Sequence, residues 1–160
     1  MSETILEAKN VVKYFYEPVT VKVLENINFT IRKNEFVSIV GKSGCGKSTL
    51  LYILSTMDRD FEGDIRIEGE SIVGKKEKEL ALIRNREIGF IFQFHYLLNE
   101  FTVLQNVMMP ALKLAKYTQQ EITERATEKL SLLGIGHLAG KMAHRLSGGE
   151  KQRVAIARSL

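Results

Sequence analysis

The segment Gly41-Lys42-Ser43-Gly44-Cys45-Gly46-Lys47-Ser48 constrains this chain more than any other. It satisfies G-x-x-x-x-G-K-[ST] and lies between an apolar run, residues 36–40, and a stretch of helical pattern, residues 48–57. A strand that enters a glycine-rich turn and leaves as a helix aims successive backbone N–H groups, and the positive end of the helix, into one small space. The ligand such a space selects is a phosphate chain. Lys47 is placed to reach its β- and γ-phosphates, and the Ser48 hydroxyl to ligate Mg²⁺. Cys45 fills a free position of the motif, where a small side chain is tolerated.

Around that loop the pattern alternates between strand and helix. Residues 5–12 and 22–31 read as strands, and residues 36–40 as a third that is buried. Glu62-Gly63-Asp64 and Glu68-Gly69-Glu70 bracket a short alternating strand with Ile65 and Ile67 on one face, which predicts a small antiparallel sheet. Residues 76–85 have helical composition, and Ile88-Gly89-Phe90-Ile91-Phe92 reads as a buried strand ending at Gln93. Beyond Gln93 the period is helical. Val103, Val107, Ala111 and Leu114 form one stripe, with Pro110 as an expected kink, and Ile122, Ala126, Leu130 and Leu133 form another that Gly134 and Gly136 stop.

Composition narrows the class. With 44% apolar and 26% charged residues the chain is expected to fold around a core, as one domain. The net charge of +4 is spread among acids, and the densest basic stretch, residues 74–79, carries its own glutamates and no aromatics for base stacking, so nucleic acid is not an expected partner. A single cysteine excludes an intrachain disulfide. Neither an export signal nor an apolar run of ~20 residues is visible, so the expected location is cytoplasmic, with any membrane role exerted through a partner.

Leu146-Ser147-Gly148-Gly149-Glu150 is a second signature. Ser-x-x-Glu ahead of a helical run is a capping box. Capping leaves the two glycines unexplained, because each costs up to ~1 kcal/mol against alanine in a helical turn. Close approach of another group to bare backbone would explain them.

In order and spacing, the loop 41–48, Gln93 at a strand end, and Leu146–Glu150 followed by Lys151-Gln152-Arg153-Val154-Ala155-Ile156-Ala157-Arg158 resemble the ATP-binding cassette (ABC) ATPases. The resemblance covers the whole chain. It departs at Glu150, where Gln is usual. It implies an α/β fold: a P-loop NTPase core of ABC type with a small antiparallel β subdomain and an α-helical subdomain. About residues 1–95 would form the β subdomain and P-loop core, 96–146 the helical subdomain and 147–160 the signature helix of one incomplete domain.

The resemblance also implies the site. ATP with Mg²⁺ would be held by Gly41, Ser43, Gly44, Cys45, Gly46, Lys47, Ser48 and Thr49, with Ser48 and Gln93 on the metal and Lys47 and Gln93 in catalysis. Ser147, Gly148 and Gly149 would contact ATP of the opposite subunit in a head-to-tail dimer. Phe15 would stack on adenine, with Tyr14 open as the alternative register. The segment 93–107 is similar to the branch of the family that powers lipoprotein release, a relative of the macrolide-export and cell-division ATPases. That implies a peripheral protein on the cytoplasmic face of the inner membrane, gripping permease subunits through the run Phe94, His95, Tyr96, Leu97 and Leu98.

Other classes fit less well. Chromosome-maintenance relatives insert long coiled coils between the elements matching Gln93 and Ser147, and no sustained heptads occur here. Ribosome-type relatives carry two cassettes in one chain. A binding module without hydrolysis stays open, since the aspartates, Asp58, Asp60 and Asp64, cluster around one turn and none ends an apolar strand. In relatives an apolar strand ending in Asp-Glu follows the signature helix, so the expectation is that the parent protein continues and that residues 36–40 are left with an unpaired edge.

Overall fold

The computed structural model describes residues 3–160. The chain divides into two compact units, one ending at Ala81 and one spanning Leu82–Leu160.

The first unit is built on a four-stranded antiparallel sheet in the order β2-β1-β3-β4. Strand β1 spans Thr4–Phe15, β2 Val21–Arg32, β3 Glu62–Ile67 and β4 Glu70–Ser71. Leu6 pairs with Ile67 and Ala8 with Ile65, so the two predicted inward isoleucines are buried against the centre of β1. Glu68 and Gly69 both take positive φ, as a two-residue hairpin between right-twisted strands requires. Between Ala8 and Val11 the β1–β2 register shifts, and Asn10 stands at φ +50 with its N–H held by the Asn28 side chain at 2.8 Å. Gly63 faces that bulge. A Cβ there would lie 2.5 Å from the carbonyl oxygens of Lys9 and Asn10, so no larger residue fits.

Helix α1, Lys47–Leu54, buries Leu50, Ile53 and Leu54. Helix α2 covers Glu77–Glu87, and the division between the units falls within it. The second unit holds α3 (Val103–Leu114), α4 (Gln119–Leu132) and α5 (Gly148–Ser159). Each starts with a complete capping box: Thr102 with Gln105, Thr118 with Glu121, and Ser147 with Glu150. The predicted stripes meet in one core, where Val103, Val107, Ile122, Ala126 and Leu130 pack with Leu146, Val154 and Ala157. Pro110 lies inside α3 without ending it.

Two expected strands do not form. Residues 36–40 carry no strand hydrogen bonding and are exposed throughout, Phe36 at 97% and Val40 at 84%. Residues 88–92 likewise run outside any sheet, with Ile91 at 43% exposure. The cause is non-local: a β-strand is stabilised by its neighbours' hydrogen bonds and side chains, and no described strand pairs with either segment. The edge expected beside residues 36–40 is therefore an exposed extended run rather than a strand with one bare side.

Candidate functional site

In the first unit the glycine-rich loop turns sharply. Gly44 and Gly46 stand at φ +79 and +90, and the Cys45 N–H donates to the Lys42 carbonyl at 3.3 Å. Gly46 is the N-cap of α1, has no side-chain cap, and no acidic residue occupies the first turn. The helix therefore presents uncapped N–H groups and a positive dipole end with nothing to neutralise them, which suits an anion. Lys47 Nζ folds back onto the carbonyls of Gly41 at 2.9 Å and Lys42 at 2.7 Å and lies 3.7 Å from Cys45 Sγ. No carboxylate among the described residues pairs with it. Ser43, Cys45 and Ser48 are exposed, and Thr49 is half-buried.

Gly46 also fixes the loop to the sheet. A Cβ there would meet Leu24 Cδ2 and Val23 Cγ1 at 2.9 Å, so the loop end lies directly on β2. Leu24 pairs with Lys13 and Val21 with Phe15. Phe15 thus stands about 7 Å along β1 from the position opposite the loop contact. It is 46% exposed. Tyr14 is engaged elsewhere, with its ring stacked on Tyr16 at 6.2 Å and under Lys22 Nζ at 5.7 Å.

In the second unit the start of α5 is a closed capping box. Ser147 N–H donates to Glu150 Oε2 at 2.7 Å, and Glu150 N–H donates back to Ser147 Oγ at 3.4 Å. The bond from the Ser147 N–H holds the Glu150 carboxyl below its ordinary range, with Lys141 and Arg153 adding to it. Gly148 and Gly149 are different. Neither has a positive φ, and a Cβ on either would meet nothing within 4 Å, so this chain's own packing does not require glycine at either position.

Residues 24–160 match the ABC transporter family model. The chain belongs to the ABC transporter ATPase family. It is 49% identical to the lipoprotein-releasing system ATP-binding protein LolD of Aquifex aeolicus over 98% of this chain and 68% of that protein. The LolD of Bacteroides thetaiotaomicron is 50% identical over 88% of this chain and 64% of its own length. Among solved structures, the dimeric bacterial ABC transporter cassette MJ0796 superposes with a TM-score of 0.91 at 37% identity, covering 98% of this chain and 69% of that one. The same cassette bound to ADP and Pi gives 0.90, with the same identity and coverage.

In this ABC ATPase chain, Gln93 and Phe94 are exposed, Phe94 at 68%. Tyr96 is 62% exposed in a left-handed conformation at φ +43 and makes edge contacts with Phe92 and Phe94. Leu97 is not part of an open apolar grip: it packs on the helical core. Leu98 is 40% exposed.

Sequence reasoning missed three residues that shape these segments. Asn106 is fully buried on α3, accepts from the Leu98 N–H at 2.8 Å and donates to the carbonyls of Leu98 and Thr102. An asparagine beside Val103 and Val107 on an apolar stripe was the available signal. Arg158 donates to the carbonyls of His95 and Tyr96 from the last turn of α5. Lys13, 3% exposed, is held by Asp58 and Asp60. Asp64, the remaining aspartate, pairs with Arg66 at 2.9 Å and accepts from Ser71. No described group of three or more His, Cys, Asp or Glu side chains could hold a metal ion, and no described helix is long and apolar enough to cross a membrane.

Proposed function

We propose that this chain is the nucleotide-binding part of an ABC transporter subunit that couples ATP binding and hydrolysis to a membrane permease, in lipoprotein release from the inner membrane. The observation that carries the reading is the loop at residues 41–48: an uncapped helix N-terminus and a lysine held by two loop carbonyls and the Cys45 sulfur, with no carboxylate among the described residues paired to it, on a turn fixed to the sheet by Gly46. Gly41, Ser43, Gly44, Cys45 and Gly46 would offer backbone N–H groups to the phosphates, and Lys47 would swing from the Gly41 and Lys42 carbonyls to the β- and γ-oxygens. Thr49 continues the first helical turn. The exposed Ser48 hydroxyl suits a hard cation such as Mg²⁺, and the exposed Gln93 amide offers an oxygen donor of the same kind. When bound, that ion draws charge from the transferred phosphoryl group. Phe15 would stack on the base, a reading supported by its exposure and by the engagement of Tyr14.

Gly148 and Gly149 support the dimer. Glycines that nothing in their own chain requires, at an anion-favouring helix start capped by Ser147, suit close approach of a triphosphate held by a second subunit. The permease contact is assigned to Phe94, Tyr96 and Leu98, the exposed members of the run after Gln93. Such a contact would hold the chain peripherally at the cytoplasmic face of the inner membrane.

Lys47→Ala tests the reading. Calorimetry with Mg-ATP should show at least about a tenfold loss of affinity, about 1.4 kcal/mol, with an unchanged melting temperature. Labelling of exposed Cys45 by a maleimide should slow when Mg-ATP saturates the loop. Unchanged affinity in the variant, or equal labelling rates, would overturn the assignment.

A further inference from the structure

Lys13 is a buried ammonium with an unusual set of partners. Its Nζ donates to Asp58 Oδ1 at 3.0 Å, to Asp60 Oδ2 at 3.1 Å and to the Asp60 carbonyl. Asp58 also accepts from the Asp60 N–H at 3.0 Å, so the turn after α1 closes around the cation. Burial by itself lowers a lysine's pKa. Here the hydrogen bonds and charges of the two carboxylates outweigh it and leave Lys13 above the ordinary lysine value, fully charged at working pH.

Stability is a weak explanation for the clamp, because a buried ion pair is often replaced by apolar side chains at no cost. Geometry offers another. Residues 13 and 15 share a face of β1, and the same ammonium lies 5.2 Å from the centre of the Phe15 ring. The cation occupies one side of a ring that is otherwise half exposed. Lys13 sits opposite Leu24, against which Gly46 packs, while its carboxylate partners follow the far end of α1. The far end of the phosphate-loop helix is therefore tied to β1, the strand that carries Phe15, while its loop end rests on β2, the strand paired with β1.

We propose that Lys13, clamped by Asp58 and Asp60, is a positioning residue that fixes the Phe15 ring for stacking on the base of a bound purine nucleotide. This rests on the nucleotide-site reading above and adds to it a link between the base site and the phosphate loop. The cation holds the ring from one side by a cation–π contact, and the base takes the other. A merely structural Lys13 would affect every ligand alike. A positioning Lys13 affects only ligands that carry a base.

The test is calorimetry on the full chain with two probes, Mg-ATP and Mg-tripolyphosphate. Phe15→Ala should weaken ATP about fivefold or more and leave tripolyphosphate unchanged. Lys13→Met should weaken ATP about threefold with the same indifference to tripolyphosphate. The double variant should bind ATP no worse than Phe15→Ala alone, and Lys13→Arg, whose guanidinium also stacks on aromatic rings, should recover most of the affinity. If Lys13→Met melts below the assay temperature, Asp58→Asn with Asp60→Asn replaces it with the same expected result. The proposal falls if either clamp variant binds ATP as the parent does, weakens both probes equally, or adds its full loss to that of Phe15→Ala. It falls together with the stacking assignment if Phe15→Ala leaves ATP affinity unchanged. A parent chain that binds neither probe would instead remove the phosphate-loop reading on which both stand.

Discussion

The guanidinium of Arg158 donates to the carbonyl oxygen of Tyr96 at 2.8 Å and to that of His95 at 2.9 Å. One end of α5 is thereby bonded to the backbone just after Gln93, while its other end carries Ser147, Gly148 and Gly149. Asn106 holds the next part of the same segment at Leu98. The loop after Gln93 is thus set by two side chains from helices rather than by a sheet.

Arg158→Ala should release that loop. Charge-assisted hydrogen bonds contribute about 1.5–3 kcal/mol each, discounted here because one of the two lies at the surface, so a loss of about 1–3 kcal/mol in stability is expected. Hydrogen exchange should accelerate across residues 93–98 and stay slow at the start of α5. Equal protection of residues 93–98 in parent and variant would contradict the tie.

Within the apolar run, fold and surface roles separate by residue. Leu97→Asp puts a carboxylate among packed apolar side chains and should cost ~2–4 kcal/mol, visible as a lower melting temperature. Phe94→Asp, at 68% exposure, should change stability by less than ~0.5 kcal/mol yet weaken co-purification with a permease. Permease capture that survives Phe94→Asp combined with Tyr96→Asp would remove this surface as the contact.

The sequence made most of this legible wherever the cause was local. The capping box at Ser147–Glu150, the helical stripes and the hairpin at Glu68-Gly69 depend on residues a few positions apart, and each formed near where its pattern put it, whereas the equally local boxes at Thr102–Gln105 and Thr118–Glu121 went unread. Residues 36–40 and 88–92 have strand-like apolar runs as clear as that of β1, and neither became a strand. Their pattern states only which side chains seek burial, whereas pairing depends on a distant partner that no local pattern names. The same limit hid Lys13. Nothing in the residues beside Lys13 marks the two carboxylates, Asp58 and Asp60, that the fold brings to it. The phosphate loop was legible because strand, turn and helix start are contiguous, so one stretch of sequence builds the whole space.

Acid should loosen the helical unit through its caps. Backbone and hydroxyl hydrogen bonds from Thr118 hold Glu121 below its ordinary range, as those from Ser147 hold Glu150. A carboxylate depressed in the folded state contributes stability that is complete above its unfolded value. That contribution is lost as pH falls through the lower folded value. Melting temperature should therefore decline from just below the ordinary glutamate range downwards. Glu121→Gln with Glu150→Gln keeps a side-chain acceptor at each cap and should flatten part of that acid limb. An unaltered acid limb in the double variant would show that the caps do not carry the dependence.

Phosphate release from Mg-ATP by the 160-residue chain should be undetectable even where ATP binds. Transfer to water needs a carboxylate on the metal and a second group to orient the water. Each aspartate is committed elsewhere: Asp58 and Asp60 hold Lys13, and Asp64 holds Arg66 and Ser71. Freeing Asp58 would leave the buried ammonium of Lys13 short of a counter-charge, which costs more than a surface pair does. The glutamates that cap α4 and α5 are likewise occupied, by Thr118 and Ser147. Binding and hydrolysis should consequently separate in this chain, with a calorimetric signal for Mg-ATP and no steady phosphate production. Steady release that Lys47→Ala abolishes would show that a carboxylate counted here as engaged becomes free when nucleotide binds.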